Sequence, residues 1–290
     1  MIDQSLDATV ASWLRHHQSL ARFDLELALC HILDCSRAHV LTHPDRALSR
    51  FELSQLEHWS EQLYQHVPIA YLCGNQEFWG LSLVVDHRVL VPRPDTETLV
   101  EQALVCLNHV DHSLPTGTAP TLLDLGTGSG AIALALASER PDADIHACDC
   151  SLESLAVARE NSDSLKLPVT FHHSDWFENI TQRYHVIVSN PPYIAPDDPH
   201  LDLLGAEPAH ALVAKENGLA DLRSICQRAG VFLQTNGWLL LEHGYDQGKT
   251  VRSLMTENGF VGVQSRRDLG GNERVTWGQK RSNQALSAHE

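Results

Sequence analysis

The sequence predicts an α/β protein in which a small all-α N-terminal domain precedes a larger domain built on a mostly parallel sheet. Two patterns support this prediction. Up to about residue 70 the apolar residues follow helical spacing, with no alternating pattern of the strand type. From Thr121 onward, short apolar runs alternate with helical segments, which is typical of a parallel sheet with helices on both faces. A chain of 290 residues can hold both domains.

The N-terminal domain is predicted as a bundle of about four or five short helices. Leu25, Leu29 and Ile32 show the helical spacing, and His43-Pro44-Asp45 interrupts it. No residue pattern in this bundle indicates catalysis. Two interpretations therefore stay open at this point, a structural cap and a docking module for a macromolecular partner.

A change of pattern between Gln76 and Val91 predicts a two-stranded hairpin that links the domains, with Asp86-His87 as its turn. After the hairpin, Asp95 is a candidate helix N-cap with Glu97 in the first turn of that helix. A capping role for Asp95 does not explain why Arg93 lies between two prolines, so the role of Arg93 stays open. The predicted boundaries are 1–74 for the helical domain, 75–92 for the hairpin, 93–282 for the sheet domain and 283–290 for a disordered tail.

Seven strands are predicted in the sheet domain. The last two follow each other without a helix, so one strand should be antiparallel. In open sheets of this kind, ligands bind at the carboxyl ends of the parallel strands, which makes the residues that follow each strand the candidates for a site. The predicted strands are 121–126, 144–149, 169–175, 185–190, 237–244, 262–268 and 274–280.

A glycine-rich loop follows the first strand of this sheet. It contains Gly126, Thr127, Gly128, Ser129 and Gly130. Glycines at this place let the backbone approach a ligand closely, and the helix that follows offers free N–H groups. The G-x-G-x-G spacing differs from the G-x-G-x-x-G fingerprint of dinucleotide sites.

Acidic residues near this loop indicate the kind of ligand. Asp149 ends the second strand, 19 residues after Gly130, where a carboxylate can accept hydrogen bonds from two ribose hydroxyls. Asp124 would repel a pyrophosphate, so a cationic nucleoside such as S-adenosylmethionine fits better. Asp175 and Trp176 end the third strand and can contact an adenine amino group and ring face, although Trp176 could equally be a core aromatic residue.

The fourth strand ends in Asn190-Pro191-Pro192-Tyr193. The two prolines stop the strand and remove two backbone donors, so the site is rich in acceptors. The Asn190 side-chain oxygen and the Pro191 carbonyl can hold both hydrogens of one planar NH2 group, and Tyr193 can stack on it. We therefore predict Asn190, Pro191 and Tyr193 as catalytic, all four residues as substrate-binding, and Asn190 as also bordering the cofactor.

Composition weighs against several other functions. The sequence contains 21 Lys and Arg residues and 37 Asp and Glu residues. The resulting net charge of −16 disfavours nucleic acid as a partner. The seven cysteines include no Cys-x-x-Cys pair, and the 18 histidines show no metal-ligand spacing, so we expect no metal and reduced thiols. The N-terminal residues show no basic region followed by an apolar run, so we expect no signal peptide, and no apolar run in the sequence reaches the roughly 20 residues of a membrane span. We expect a cytoplasmic, monomeric protein that does not bind membranes.

The combined motifs resemble those of the HemK-type peptide chain release factor glutamine N5-methyltransferases. These motifs are VPRPDTE (91–97), DLGTGSG (124–130), Asp149, SDWF (174–177), SNPPY (189–193), LLEHG (240–244) and DLGGNERV (268–275). The resemblance covers nearly the whole chain. It implies a Rossmann-like class I methyltransferase domain with a seven-stranded sheet, of which one strand is antiparallel.

The resemblance also implies an activity and a partner. S-adenosylmethionine would methylate the side-chain amide of the glutamine in the Gly-Gly-Gln motif of class 1 release factors, which the helical domain would help to hold. The loop Leu201–Leu212 departs from the family pattern, because Gly205-Ala206 precedes Glu207-Pro208 and the loop is about two residues short. The alternatives are a nucleic-acid adenine methyltransferase, a non-catalytic binding homologue and, more remotely, a dehydrogenase.

Overall fold

The computed structural model describes residues 8–281, so the predicted tail 283–290 lies outside the described residues. The chain divides into two compact units. The helical unit runs to Asn75 and includes Asp202–Ala206, and the sheet unit comprises Gln76–Leu201 and the chain from Glu207 onward.

The helical unit contains five helices, α1 Val10–His16, α2 Arg22–Ile32, α3 Arg37–Thr42, α4 Arg50–Tyr64 and α5 Ile69–Cys73. The Ser49 side chain accepts a hydrogen bond from the Glu52 backbone, while the Glu52 carboxylate accepts one from the Ser49 backbone, which fixes the start of α4. Leu25, Leu29 and Leu56 are fully buried in the core of this unit. The predicted spacing of Leu25 and Leu29 thus marks the buried face of α2.

A two-stranded hairpin follows, made of β1 Asn75–Phe78 and β2 Leu81–Val84. Its turn is at Trp79-Gly80, where both residues have positive φ angles of 54° and 70°, so the predicted turn at Asp86-His87 is wrong. Two consecutive left-handed residues match the twist of a tight hairpin, and glycine adopts this conformation without strain. Asp86 lies beyond the hairpin and binds the guanidinium and backbone N–H of Arg88 instead.

The main sheet of the second unit has seven strands in the order β5-β4-β3-β6-β7-β9-β8. Strand β9 is antiparallel to both β7 and β8, and the other pairings around β3, β4 and β6 are parallel, which confirms the predicted sheet. The strands are β3 Thr121–Leu125, β4 Asp144–Asp149, β5 Thr170–His173, β6 Tyr184–Ser189, β7 Leu233–Glu242, β8 Phe260–Arg267 and β9 Glu273–Lys280.

Helices cover both faces of the sheet. They are α6 Glu97–Asp111, α7 Ala131–Glu139, α8 Leu152–Leu165, the short α9 Lys215–Gly218, α10 Ala220–Phe232 and α11 Gly248–Glu257. Alternate residues of β3 enter different cores, since Leu122 packs with α6 and α7 whereas Leu123 and Leu125 pack with α10 and α11. Because both faces of the sheet are covered, we look for a ligand site at the carboxyl ends of the parallel strands.

Candidate active site

A cleft lies at the carboxyl ends of β3, β4, β5 and β6. Its walls include seven of the residues predicted for the site, namely Gly126, Gly128, Asp149, Asp175, Trp176, Asn190 and Pro192. Thr127, Ser129, Gly130, Pro191 and Tyr193 are in the same loops but do not line this cleft. The structure therefore brings residues from four separate strand ends to one place.

The glycine loop reaches the cleft through three left-handed glycines. Gly126, Gly128 and Gly130 have φ angles of 71°, 55° and 85°. A Cβ atom on Gly126 would lie 3.4 Å from the Trp176 ring, so any side chain there would narrow the space beside the indole. These three positions need glycine because other L-residues are strained at such angles.

Asp149 connects the second strand to this loop. Its Oδ2 accepts a hydrogen bond of 2.9 Å from the Gly128 backbone, and its Oδ1 accepts one of 2.9 Å from the Ser151 backbone. Because each carboxylate oxygen has two acceptor sites, both oxygens can still accept from a ribose hydroxyl. Asp149 is therefore held in one orientation before any ligand arrives.

Asp124 is a buried acidic group beside the loop. Its Oδ2 accepts a hydrogen bond of 2.6 Å from the Thr127 hydroxyl, whereas its Oδ1 has no hydrogen-bond partner among the described residues. Burial raises the pKa of the Asp124 carboxyl to about 7. A nearby ligand cation would stabilise the carboxylate form, which agrees with the expected charge of the ligand.

Trp176 has an unusual backbone conformation, with a φ angle of 46°. Its indole packs partly against the core formed with α10 and also lines the cleft, so Trp176 is in part a core residue, and its contact with an adenine ring stays a prediction. Asp221, in the first turn of α10, lines the same cleft. Sequence reasoning missed Asp221, since an acid in a first helical turn is common.

Three hydrogen bonds hold the Asn190–Tyr193 segment to neighbouring parts of the chain. The Asn190 Nδ2 donates to the Thr96 hydroxyl at 3.3 Å, and the Tyr193 hydroxyl donates to Glu242 Oε1 at 3.3 Å. The Tyr193 carbonyl accepts from Gln247 Nε2 at 3.0 Å. Tyr193 is thus fixed at both its backbone and its hydroxyl group.

Arg93 and Glu97 acquire roles that the sequence left open. Arg93 forms an ion pair with the buried Glu207, whose carboxylate also accepts a hydrogen bond of 3.0 Å from the Val91 backbone. Glu97 accepts a hydrogen bond of 3.0 Å from the Trp79 backbone in the hairpin turn. Arg93 therefore ties its own loop to the loop that follows Asn190–Tyr193.

The predicted N-cap role of Asp95 is wrong. Residues Pro94–Thr96 form a turn of 3-10 helix, and Thr96, not Asp95, directly precedes α6. Asp95 instead lies 3.2 Å from the Arg274 guanidinium, which also pairs with Asp268 at 3.1 Å. The proline at the first position of this turn shifts the start of the α-helix beyond the expected cap.

Two kinds of feature are absent from residues 8–281. No cluster of three or more His, Cys, Asp or Glu side chains there could hold a metal ion. None of the described helices combines the length and apolar character that crossing a membrane requires.

Comparisons with known proteins agree on one family. The profile described as Methyltransferase small domain matches residues 104–216, and the PrmC N-terminal domain profile matches residues 8–74. The release factor glutamine methyltransferase of Pseudomonas aeruginosa is 47% identical over 263 residues, covering 89% of this chain and 92% of that protein. The one of Vibrio cholerae is 42% identical over 283 residues, covering 96% of each.

A solved structure supports the fold. A methyltransferase from Pyrococcus furiosus has a TM-score of 0.52 and 17% identity, and the match covers 78% of this chain and 98% of that one. At this level of identity, the likeness shows the fold alone.

Proposed function

The chain belongs to the release factor glutamine methyltransferase family, and we propose that it methylates the side-chain amide nitrogen of the glutamine in the Gly-Gly-Gln motif of class 1 peptide chain release factors. It is an enzyme, and S-adenosylmethionine is its methyl donor. The observation that carries the proposal for this chain's own residues is the anchoring of Asn190 at the cleft by Thr96.

Asn190 presents an acceptor to the substrate. Because its Nδ2 donates to Thr96, the other arm of its amide is Oδ1, which can accept a hydrogen from an NH2 group. The Pro191 carbonyl is the second acceptor, and proline supplies no competing N–H. Two acceptors on one planar NH2 leave the nitrogen lone pair directed out of the plane, toward the incoming methyl group. Such orientation contributes roughly 7–11 kcal/mol to overcoming a bimolecular barrier.

The residues that hold the cofactor are proposed from the same cleft. When bound, S-adenosylmethionine supplies a methyl group activated by a sulfonium charge. The glycine loop offers close backbone approach, Asp149 accepts from the ribose, and Trp176 with Asp175 borders the adenine. The buried Asp124 oxygen without a partner fits a cationic ligand better than a phosphate.

The proton balance requires no strong base. The amide nitrogen would gain the methyl group as the bond between that methyl and the sulfonium sulfur breaks, so that S-adenosylhomocysteine leaves as a neutral thioether. The nitrogen would then carry one proton more than in the neutral product. A protonated amide is a strong acid, so an acceptor oxygen at the site or a water molecule takes the proton readily. The chain's contribution is therefore mainly to orient the amide and to exclude other geometries.

The helical unit is proposed as the part that helps to hold the release factor. This rests on family membership and on the matching N-terminal profile at residues 8–74. We further propose a monomeric enzyme that acts in the cytoplasm and binds no nucleic acid directly, which the net charge of −16 favours. The short loop 201–212 is proposed to border the substrate, and its residue Glu207 connects it to Arg93 through an ion pair.

The test is transfer of a labelled methyl group to purified release factor. We expect a single labelled methyl group on the Gly-Gly-Gln glutamine of the wild-type factor. A factor in which that glutamine is replaced by alanine should carry no label. DNA and ribosomal RNA are tested beside it. Label on nucleic acid but not on release factor would reverse the assignment, and cofactor binding without transfer to anything would indicate a non-catalytic homologue.

Replacing Asp149 by alanine is expected to weaken S-adenosylmethionine binding by about 10- to 100-fold, since hydrogen bonds to a charged group contribute about 1.5–3 kcal/mol. Calorimetric titration of the cofactor measures the effect. Asp144→Ala is the matched control, because Asp144 begins the same strand that Asp149 ends. Unchanged affinity in Asp149→Ala would show that the ribose contact lies elsewhere.

A further inference from the structure

One face of helix α8 packs against two separate parts of the chain that line the cleft. Ser154, Ala158 and Asn161 are spaced by four and three residues, so they lie on the same side of this helix. All three are buried, and two of them are polar. A buried polar side chain is normally hydrogen-bonded, so the partners of these residues indicate what this face of α8 does.

Asn161 forms three hydrogen bonds, all of them with backbone groups. Its Oδ1 accepts from the Val84 N–H at 2.7 Å, and its Nδ2 donates to the Val84 carbonyl at 3.0 Å. The same Nδ2 donates to the Ser129 carbonyl at 2.9 Å. Asn161 is 1% exposed, so water does not compete for its amide. Because Val84 offers one donor and one acceptor, the amide fits in one orientation, and its second N–H is directed to Ser129.

The contact with Val84 fixes one wall of the cleft. Val84 is the last residue of β2, and Arg88, Val89 and Leu90, which follow soon after it, line the cleft. A further hydrogen bond from the same face of α8 supports this wall, since the Ser154 hydroxyl donates to the Arg88 carbonyl at 3.0 Å. The stretch between Val84 and Arg88 is therefore held to α8 at both of its ends.

The contact with Ser129 fixes a second wall, the glycine loop. Ser129 lies between Gly128, which lines the cleft, and Gly130. A Cβ atom on Gly130 would lie 3.3 Å from the Ala158 Cβ, so the loop lies directly on the same face of α8. Gly128 in turn donates to Asp149. The glycine loop and the chain that follows β2 are thus joined through one buried side chain.

We infer that Asn161 is a positioning residue, which fixes the spacing between the glycine loop and the chain after β2 and thereby sets the affinity of the cleft for S-adenosylmethionine. The inference rests on the proposed place of the cofactor in this cleft. Asn161 is not among the residues that line the cleft, so it acts through the two walls. Walls that are already joined lose less conformational freedom when a ligand binds, and a lower cost of ordering means a higher affinity.

The methyl transfer itself should depend little on Asn161. The substrate acceptors are proposed on Asn190 and Pro191, just after β6, and other hydrogen bonds hold that segment. Loss of the Asn161 bonds should therefore raise the Kd for S-adenosylmethionine and leave kcat at saturating cofactor nearly unchanged. A residue that only stabilised the fold would change neither quantity in the fully folded enzyme.

The test compares Asn161→Asp with Asn161→Ala. Aspartate keeps the size of the side chain but has no N–H groups, and its carboxylate would face the carbonyls of Val84 and Ser129. Alanine removes the same bonds without adding a charge, so the test does not depend on one variant folding. We expect the Kd for S-adenosylmethionine, measured by calorimetric titration, to rise by about 10-fold in both, with kcat within about threefold of wild type.

Ser162→Ala is the matched control. Ser162 is the next residue of α8, and its hydroxyl donates to the Leu167 carbonyl at 2.6 Å, so this change also weakens the helix. The bond belongs to neither wall of the cleft, so the Kd for S-adenosylmethionine and kcat should equal those of wild type. Urea unfolding of all three variants identifies the conditions under which each is fully folded.

Failure of the inference can be told apart from failure of the proposed function. If the folded Asn161 variants bind S-adenosylmethionine as wild type does while Asp149→Ala binds it weakly, the positioning role is overturned and the cofactor site stands. If Asp149→Ala also binds it normally, the cofactor is held elsewhere and the premise is wrong. A raised Kd in the Asn161 variants, beside a wild-type enzyme that does not methylate release factor, would support the positioning role and overturn the proposed substrate.

Discussion

Replacing Asn190 by alanine is expected to lower kcat for release factor methylation by about a thousandfold, a loss comparable to that of removing one key preorganised hydrogen-bonding group. The Asn190 side chain provides one of the two acceptors for the substrate NH2, and alanine provides none. The Kd for S-adenosylmethionine should change by less than about threefold, because Asp149 and the glycine loop remain intact. Transfer of a labelled methyl group to release factor at saturating substrates measures kcat, and calorimetric titration measures the Kd for S-adenosylmethionine.

The control for this change is Asn258→Ala. Among residues 8–281 the Asn258 side chain donates a hydrogen bond to the Leu254 carbonyl alone, at the end of α11, and Asn258 is not among the residues that line the cleft. This variant should keep wild-type kcat and Kd. If Asn190→Ala loses cofactor affinity and turnover to the same extent, Asn190 holds the cofactor and does not position the acceptor nitrogen.

The strand ends that line the cleft were predictable from sequence for a simple reason. Parallel strands place their carboxyl ends at one edge, so residues that follow separate strands meet there whatever their distance in sequence. Gly126, Asp149, Trp176 and Asn190 each lie at the end of a strand or just after it, and the structure brings them to one cleft. The alternation of apolar runs likewise predicted the seven-stranded sheet and its antiparallel strand.

The supporting contacts were not predictable, because they depend on tertiary packing. Arg93 and Glu207 are 114 residues apart, and Asn190 and Thr96 are 94 residues apart. No local spacing or propensity connects such pairs. The prediction of the hairpin turn was wrong for a different reason. Asp86-His87 has turn-forming residue types, but the two consecutive left-handed residues of the hairpin turn are Trp79 and Gly80.

Replacing Gly218 by alanine is expected to lower kcat by about 100-fold, because displacing a catalytic segment by about 1 Å can cost that much. A Cβ atom on Gly218 would lie 2.1 Å from the Tyr193 carbonyl oxygen, far inside van der Waals contact. That oxygen belongs to the backbone and also accepts a hydrogen bond from Gln247, so it cannot move away alone. The whole Asn190–Tyr193 segment must shift instead.

Backbone strain is a second effect of the Gly218 change, and a control separates it from the clash. Gly218 has a φ angle of 81°, and Gly259 has one of 84° with no atom within 4 Å of its added Cβ. Each alanine variant should therefore lose about 1–2 kcal/mol of stability through left-handed strain. Thermal or urea unfolding of both variants measures this loss.

The two glycines should differ in activity. Gly259→Ala is expected to keep wild-type kcat, since nothing near the cleft moves, whereas Gly218→Ala should be slow even at temperatures where it is fully folded. Its Kd for S-adenosylmethionine should stay close to wild type, because the glycine loop and Asp149 lie on other strands. Equal turnover in the two variants would mean that the Tyr193 carbonyl can move without disturbing Asn190. In that case the acceptor geometry would depend on the Thr96 hydrogen bond alone, and not on the backbone that follows Asn190.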